Sequence, residues 1–167
     1  MIESDYERAF KDVTVLSNLI HRSLMIKKSV IEIDEYDMKE RRVFNYGHSF
    51  GHAIESVTEY AIPHGIAVSM GMELSNRISM HLGLLPAEHY RKMSAVLRKN
   101  VAGDRLPKVQ YEKYEAALRK DKKNSGAQIN VILSKGLGRM FLSPLEVTPD
   151  VRRIIEDFLS NGDIFAD

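Results

Sequence analysis

Three of the chain's six histidines lie in one short stretch, NYGHSFGHAIESVTEYAIPHG, residues 45–65. His48 and His52 are four residues apart, so on a helix they lie on the same face. His64 follows Pro63, and a turn of three or four residues would fold it back over the helix that carries the pair. The chain has no cysteine, so a metal site would use histidine and carboxylate ligands. The pattern predicts that three imidazoles converge, as they do in a metal site.

Two glycines, Gly47 and Gly51, directly precede His48 and His52. Each glycine in a helix costs about 1 kcal/mol relative to alanine, so the pair requires a compensating contact, either with another backbone or with a ligand. The alternative is that the glycines serve helix packing alone and that the histidines are ordinary core or surface residues. The spacing leaves both interpretations open.

Polar donors surround this stretch in sequence. Five of them precede the histidines: Lys27, Lys28, Arg41, Arg42 and Asn45. Arginine forks and lysine point charges suit phosphate and carboxylate groups. A further basic run, RKDKKNSG, occupies residues 119–126. The arginine pair could equally be solvated surface charge, and the run at 119–126 is by itself more typical of a charged surface turn, so the pattern is compatible with an anionic ligand without requiring one.

Composition and charge are those of a globular protein of one domain. The 167 residues are 44% hydrophobic and 28% charged, with a formal net charge of +1. This charge gives no electrostatic reason to expect nucleic acid as a partner. No apolar run approaches the roughly 18 residues that a membrane span needs, and the N-terminal MIESDYERAF is too polar for a secretory signal. We therefore expect a cytoplasmic protein without a membrane partner.

The apolar periodicity predicts a mainly α, multi-helical fold with one small β-hairpin. The first predicted segment, about 5–33, is one long helix or two abutting ones, and the second helix begins near 44–48 and runs to about 60. Further predicted helices span about 65–82, 86–99, 109–120 and 151–159, and the hairpin spans about 129–142. The helix over 65–82 is apolar around much of its circumference, which predicts a central, buried position. Thr148 and Pro149 form an N-cap and first-turn pair for the last helix, which Gly162 is expected to terminate.

The motifs RRVFNYGHSFGHAIE, IPHGIAVSMGM and KDKKNSG, with a hairpin after the last, resemble the C-terminal helical domain of 3-dehydroquinate synthase and its relatives, the sugar phosphate cyclases. The resemblance covers nearly the whole chain. It implies a single helical domain, residues 1–167, that binds metal and substrate. In the complete enzyme this domain packs against an N-terminal NAD-binding domain, with the active site between them. That NAD-binding domain is absent from this chain, which has no glycine-rich segment to replace it.

The resemblance also implies residue roles. His48 and His64 match two zinc ligands, for which cobalt could substitute, and His52 matches a catalytic histidine. Asp37 stands where the family usually has a glutamate that accepts a proton. The positions that match substrate-binding residues are Lys27, Arg41, Asn45 and one of Lys122 and Lys123. The third zinc ligand of the family lies upstream of the matching region, so we expect this chain alone to be inactive and to bind zinc poorly.

The implied reaction is NAD-assisted oxidation, phosphate elimination and intramolecular aldol cyclisation of a phosphorylated sugar or sugar acid. Its enzyme is a carbon–oxygen lyase of the shikimate pathway of aromatic amino acid biosynthesis, often a homodimer. Where dehydroquinate synthases usually have HGEAV, this chain has HGIAV, which looks closer to cyclases of the 2-deoxy-scyllo-inosose synthase type acting on glucose 6-phosphate. Two more alternatives are an iron-type alcohol dehydrogenase and a helical binding or oligomerisation module without activity.

Overall fold

The computed structural model describes residues 8–9, 11–36, 38, 40–101, 103–120 and 128–161. Within these ranges it is mainly α, as predicted, with one antiparallel hairpin. The elements are α1 Val13–Ile33, a 3-10 helix Glu40–Asn45, α2 His48–Val57, α3 His64–His81, α4 Ala87–Val101, α5 Tyr111–Arg119, β1 Gln128–Ser134, β2 Met140–Glu146 and α6 Pro149–Ser160. None of the helices in these ranges has the length and apolarity needed to cross a bilayer.

The chain divides into two compact units, Met1–Phe44 and Asn45–Asp167. In the first unit, α1 begins after Asp12, whose carboxylate accepts hydrogen bonds from the backbone N–H groups of Thr14 and Val15. This N-cap satisfies donors that have no partner inside the helix. The predicted start near residue 5 lies outside the described residues. The single-domain organisation stays a prediction.

The second unit has α3 as its central helix, as predicted. Most residues of α3 are buried, and the helix packs on α2, α4, α6 and β1. The largest fully buried side chains of this unit are Phe50, Ile54, Met70, Leu74, Ile78, Tyr114, Ile129, Leu133, Ile155, Phe158 and Leu159. They come from α2, α3, α5, α6 and β1, so one core fixes the N-terminal ends of α2 and α3 relative to each other.

Glycines allow α2 and α3 to approach closely. A Cβ atom on Gly71 would collide with the carbonyl oxygen of Gly47 and the amide nitrogen of Gly51. A Cβ on Gly51 would lie 2.9 Å from the carbonyl oxygen of Ala67, closer than real side chains come. Of the two compensating contacts that the sequence left open for Gly47 and Gly51, the structure shows the backbone contact.

The second helix starts at His48, the last residue of the predicted start range 44–48. The segment before it forms a 3-10 helix, and the α-helix begins only at His48 because Gly47 adopts a left-handed conformation with φ of 79°. Such a conformation favours glycine and interrupts a right-handed helix. The helix ends at Val57, before the predicted 60, because Glu59 and Tyr60 also have positive φ.

The hairpin pairs Gln128 with Glu146 and Ser134 with Met140. Its second strand continues to Glu146, past the predicted end at 142. The strand includes Pro144, which cannot donate a backbone hydrogen bond and is tolerated because the strand lies at the edge of the sheet. Thr148 caps α6 as predicted, with its side chain accepting from the Val151 N–H. The predicted terminator of this helix, Gly162, lies outside the described residues.

Candidate metal centre

The three histidines of residues 45–65 converge. His48 is the first residue of α2, His52 lies one turn later, and His64 is the first residue of α3. One ring nitrogen from each of the three lies within 4.8 Å of the others. The ring centroids are 5.4 Å apart for His48 and His52, 5.5 Å for His48 and His64, and 5.8 Å for His52 and His64. The predicted convergence is therefore present.

The connection that brings in His64 is longer than expected. It covers residues 58–63, six rather than three or four. Thr58 closes α2 by donating its hydroxyl to the Ile54 carbonyl at 2.8 Å, and two residues with positive φ then reverse the chain. Ile62 is buried, and Pro63, with φ of −58°, leads directly into α3. These contacts fix the start of α3 beside the start of α2.

Two of the imidazoles have a hydrogen-bond partner behind them. Nδ1 of His64 lies 3.1 Å from Oε1 of Glu55, and Nδ1 of His48 lies 3.3 Å from the carbonyl oxygen of Tyr46. A carboxylate or carbonyl oxygen can only accept, so each Nδ1 must carry the proton. The lone pair of each ring is then on Nε2. Ligating histidines in metalloproteins are commonly supported by such an acceptor.

Burial favours the neutral form of His48. The ring is half-buried, and burial lowers its pKa, although the hydrogen bond to the Tyr46 carbonyl acts in the opposite direction. The nearby His52 and His64 lower the pKa further, since a second positive charge would be repelled. Neutral imidazole is the form that binds a metal. The Glu55 side chain is only 10% exposed, whereas that of His64 is 57% exposed, so the hydrogen bond between them is partly shielded from water.

These donors fit a divalent ion such as Zn²⁺ or Co²⁺, which imidazole nitrogens bind well. His52 differs from the other two histidines. Its side chain is exposed, as is that of His64, and its ring stacks on the His64 ring at an interplanar angle of 27°. Among the described residues none forms a hydrogen bond with the His52 ring. Chemically the cluster can hold a metal with two or three nitrogens, or hold it with two and transfer protons with the third.

The other predicted site residues are only partly placed. Lys27 is exposed on α1. Arg41 lies in the 3-10 helix, where its Nη1 donates to the Glu35 carbonyl at 2.7 Å. Both belong to the first unit, so their position relative to the imidazoles stays a prediction. Asn45 is the last residue of the 3-10 helix, three residues before His48. The remaining predicted residues, which lie outside the described ranges, are Asp37, Lys122 and Lys123.

Two residues that hold the histidines in place were given no role by the sequence. Glu55 lies three residues after His52 and seven after His48, so helical spacing alone could have placed its carboxylate on the histidine face. No spacing in the sequence pointed to a role for Tyr46. Its hydroxyl donates to Oδ1 of Asn76 on α3 at 2.5 Å, a contact between residues that are distant in sequence.

Comparison with known proteins identifies relatives of this chain. A family model described as 3-dehydroquinate synthase C-terminal matches residues 1–124. The 3-dehydroquinate synthase of Campylobacter jejuni strain 81-176 is 32% identical over 162 residues, which cover 94% of this chain and 46% of that protein. The enzyme of Helicobacter pylori strain P12 is 36% identical over 124 residues, 74% of this chain and 36% of that protein. The chain thus spans less than half the length of these relatives.

Solved structures give the same fold. A 2-deoxy-scyllo-inosose synthase complexed with carbaglucose-6-phosphate, NAD⁺ and Co²⁺ aligns with a TM-score of 0.69 and 26% identity, covering 81% of this chain and 39% of that one. A 2-epi-5-epi-valiolone synthase from Streptomyces hygroscopicus with NAD⁺ and Zn²⁺ aligns with a TM-score of 0.54 and 22% identity, covering 88% of this chain and 39% of that one, and supports the fold alone. With the family model matching most of its length, the chain belongs to the 3-dehydroquinate synthase C-terminal domain family of the sugar phosphate cyclases.

Proposed function

We propose that this chain is the metal- and substrate-binding half of a 3-dehydroquinate synthase-like sugar phosphate cyclase, a cytoplasmic carbon–oxygen lyase of the shikimate pathway. The observation that supports this most directly is the convergence of His48, His52 and His64 within 4.8 Å in a member of this family. NAD would be held by a separate domain of the kind that precedes this one in the family. The assembled enzyme is proposed to be a homodimer.

His48 and His64 are the proposed metal ligands, through Nε2. Their Nδ1 atoms are engaged by Tyr46 and Glu55, which orients both rings before a metal arrives and makes the ligating nitrogens more basic. When bound, a Zn²⁺ or Co²⁺ ion would supply Lewis acidity to a substrate hydroxyl, and NAD would supply the hydride acceptor.

His52 is the proposed proton-transfer residue. Its ring lies beside both proposed ligands but lacks the hydrogen-bonded support that they have within the described residues. An exposed imidazole can turn towards a substrate and exchange protons near neutral pH. Its place one helical turn from His48 would keep it close to the leaving phosphate of a metal-bound substrate.

The substrate is proposed to be anionic, a phosphorylated sugar or sugar acid. Lys27, Arg41, Asn45 and one of Lys122 and Lys123 are the proposed contacts for its carboxylate, phosphate and hydroxyl groups, because they match the family's substrate-binding positions. Asp37 is the proposed proton acceptor, with a side chain one methylene shorter than the usual glutamate. The chain alone is expected to lack turnover, because the resemblance places the third metal ligand and the nucleotide-binding domain of the family outside the region that this chain matches.

A second candidate is a cyclase of the 2-deoxy-scyllo-inosose synthase type acting on glucose 6-phosphate. One observation favours it: Ile66 occupies the place where dehydroquinate synthases usually have an acid, and its side chain packs against the core. A carboxylate there would alter the charge near His64, so this position bears on which substrate is accepted. A non-catalytic helical module is the third candidate.

Reconstitution tests the proposal. The chain is joined to the NAD-binding half of the Campylobacter jejuni relative, and phosphate release is measured with the dehydroquinate synthase substrate and with glucose 6-phosphate. Release from the first supports the main proposal, and release from the second supports the alternative. Absence of both, together with no bound metal by elemental analysis, supports the non-catalytic module.

Variants of the reconstituted enzyme separate chemistry from structure. His52→Ala should abolish phosphate release while the metal content and the thermal midpoint stay the same. His81→Ala is the matched control, because this exposed histidine lies at the opposite end of α3 from His64, and it should keep full activity. Equal activity of both variants would contradict the role proposed for His52.

A further inference from the structure

A cavity of about 750 Å³ is lined by residues of α3, α4 and α6. Cavities of roughly 300–1,000 Å³ are typical of small-molecule sites. One lining residue, Arg77, is thirteen residues after His64 on the same helix. At 1.5 Å per residue this is about 20 Å along the helix axis, so the cavity is separate from the histidines.

The lining is strongly basic. It contains Arg77, Arg91, Arg98 and Lys99, and the only carboxylate among the described residues that line it is Asp157. Four cations against one anion leave a formal charge of +3, compared with +1 for the whole chain. Four basic side chains around one cavity favour an anionic ligand.

The wall formed by α4 follows from its sequence. Arg91 and Arg98 are seven residues apart, two helical turns, so they share one face. Between them on that face are Ser94 and Ala95, whose small side chains leave the space open. Met80 and Ile154 add apolar surface. The cavity thus combines cationic forks with room for an uncharged organic body.

The deep part of the cavity is held rigidly. Nε of Arg77 donates to Oε1 of the fully buried Glu73 at 3.2 Å, and its guanidinium lies 5.7 Å from the ring centroid of Phe158. The Tyr90 hydroxyl donates to the same Glu73 oxygen at 2.7 Å. Burial and the nearby Glu73 raise the pKa of Tyr90 to about 12, so it remains a neutral donor. A guanidinium already fixed in place loses less conformational entropy when it binds a ligand.

Three of the four cations have a local role that needs no ligand. Glu73 compensates the charge of Arg77. Arg98 and Lys99 lie in the last turn of α4, where cations favourably meet the negative end of the helix dipole. Neither effect applies to Arg91, which lies in the first half of the helix.

We propose that this cavity binds a small organic phosphate, with the arginine guanidinium groups holding the phosphate and the apolar wall contacting the organic part. Arginine is suited to this because its planar donors match phosphate oxygens in pairs. The ligand would occupy a site about 20 Å along α3 from the metal cluster, independent of the metal and of the cyclase reaction.

The test is a titration of the ¹⁵N-labelled full chain with glycerol 3-phosphate, inorganic phosphate and glycerol, followed by backbone amide shifts. Saturable shifts at α4 and at the C-terminal half of α3 are expected with both phosphates and not with glycerol. The double variant Arg91→Ala/Arg98→Ala should bind at least about tenfold more weakly, or about 1.4 kcal/mol. Arg91→Gln alone should show a smaller loss of phosphate affinity. This single variant replaces the double variant in the test if the double variant does not fold.

The matched control is Lys108→Ala/Lys113→Ala, which removes the same charge from exposed positions that do not line the cavity. It should bind within about twofold of the parent, because exposed charges at a distance are screened by salt. Three outcomes would overturn the proposal: no saturable shifts in the parent chain, equal weakening in both double variants, or shifts confined to the histidine cluster and lost in His48→Ala.

Discussion

Oε1 of Glu55 lies 3.1 Å from Nδ1 of His64, which joins the last turns of α2 to the first residue of α3. The carboxylate is mostly buried and can only accept a hydrogen bond, so it determines which nitrogen of His64 is available to a metal. The bond explains why an exposed histidine at a helix start can have a fixed orientation.

Glu55→Gln is expected to lower the affinity for Co²⁺ by about tenfold, within the range usual when a ligating histidine loses the hydrogen-bond partner behind it. Glutamine keeps an oxygen acceptor but loses the negative charge that makes the imidazole more basic. Visible absorption during cobalt titration of the reconstituted enzyme measures the affinity, and ¹⁵N shifts of His64 report its tautomer. Glu59→Gln, an exposed neighbour, is the control, and equal affinity of the two variants would refute the role of Glu55.

The three histidines are expected to differ in metal binding. His48→Ala and His64→Ala should each reduce cobalt affinity by more than Glu55→Gln does, by at least about 100-fold, because each removes a ligand. His52→Ala should change it by less than about threefold, since no described residue gives its ring the supporting hydrogen bond that ligating histidines usually have. Cobalt titrations of the three variants make the comparison. A large loss in His52→Ala would instead make all three residues ligands.

Gly71→Ala should destabilise the fold. Its Cβ would collide with the Gly47 carbonyl oxygen, and overpacking of this kind costs about 1–3 kcal/mol. Gly65→Ala is a matched control in the same helix, since a Cβ there meets nothing within 4 Å, and it should be neutral or stabilising by up to about 1 kcal/mol. Urea unfolding gives both free energies. Equal stability of the two variants would show that α2 and α3 need no close contact.

Tyr46→Phe should cost about 1–3 kcal/mol of stability, because it leaves the buried Oδ1 of Asn76 without its donor. A smaller drop in cobalt affinity should accompany it, since the Tyr46 carbonyl supports His48. Urea unfolding and cobalt titration measure the two effects. Tyr60→Phe, at a residue 76% exposed, should leave both unchanged, and a Tyr46→Phe variant as stable as this control would rule out an anchoring role.

The local sequence pattern was sufficient to predict much of the structure of this protein. The i, i+4 spacing placed His48 and His52 on one face, the apolar circumference of residues 65–82 identified the buried central helix, and Thr148 with Pro149 located the start of α6. Each of these depends on residues within a few turns of one another, so sequence spacing carries the information. The motifs around the histidines also indicated the family, which the comparisons confirm.

Other features were decided only in three dimensions. The six-residue connection to His64, the Tyr46–Asn76 bond and the gathering of Arg77 with Arg91 all depend on how α3 packs against its neighbours. Packing joins residues that are far apart in sequence, and no periodicity records which partners meet or how closely. The sequence by itself thus determined which residues could do chemistry and on which helix face they lie, whereas the tertiary contacts decided which ring nitrogens face one another and which charges share a cavity.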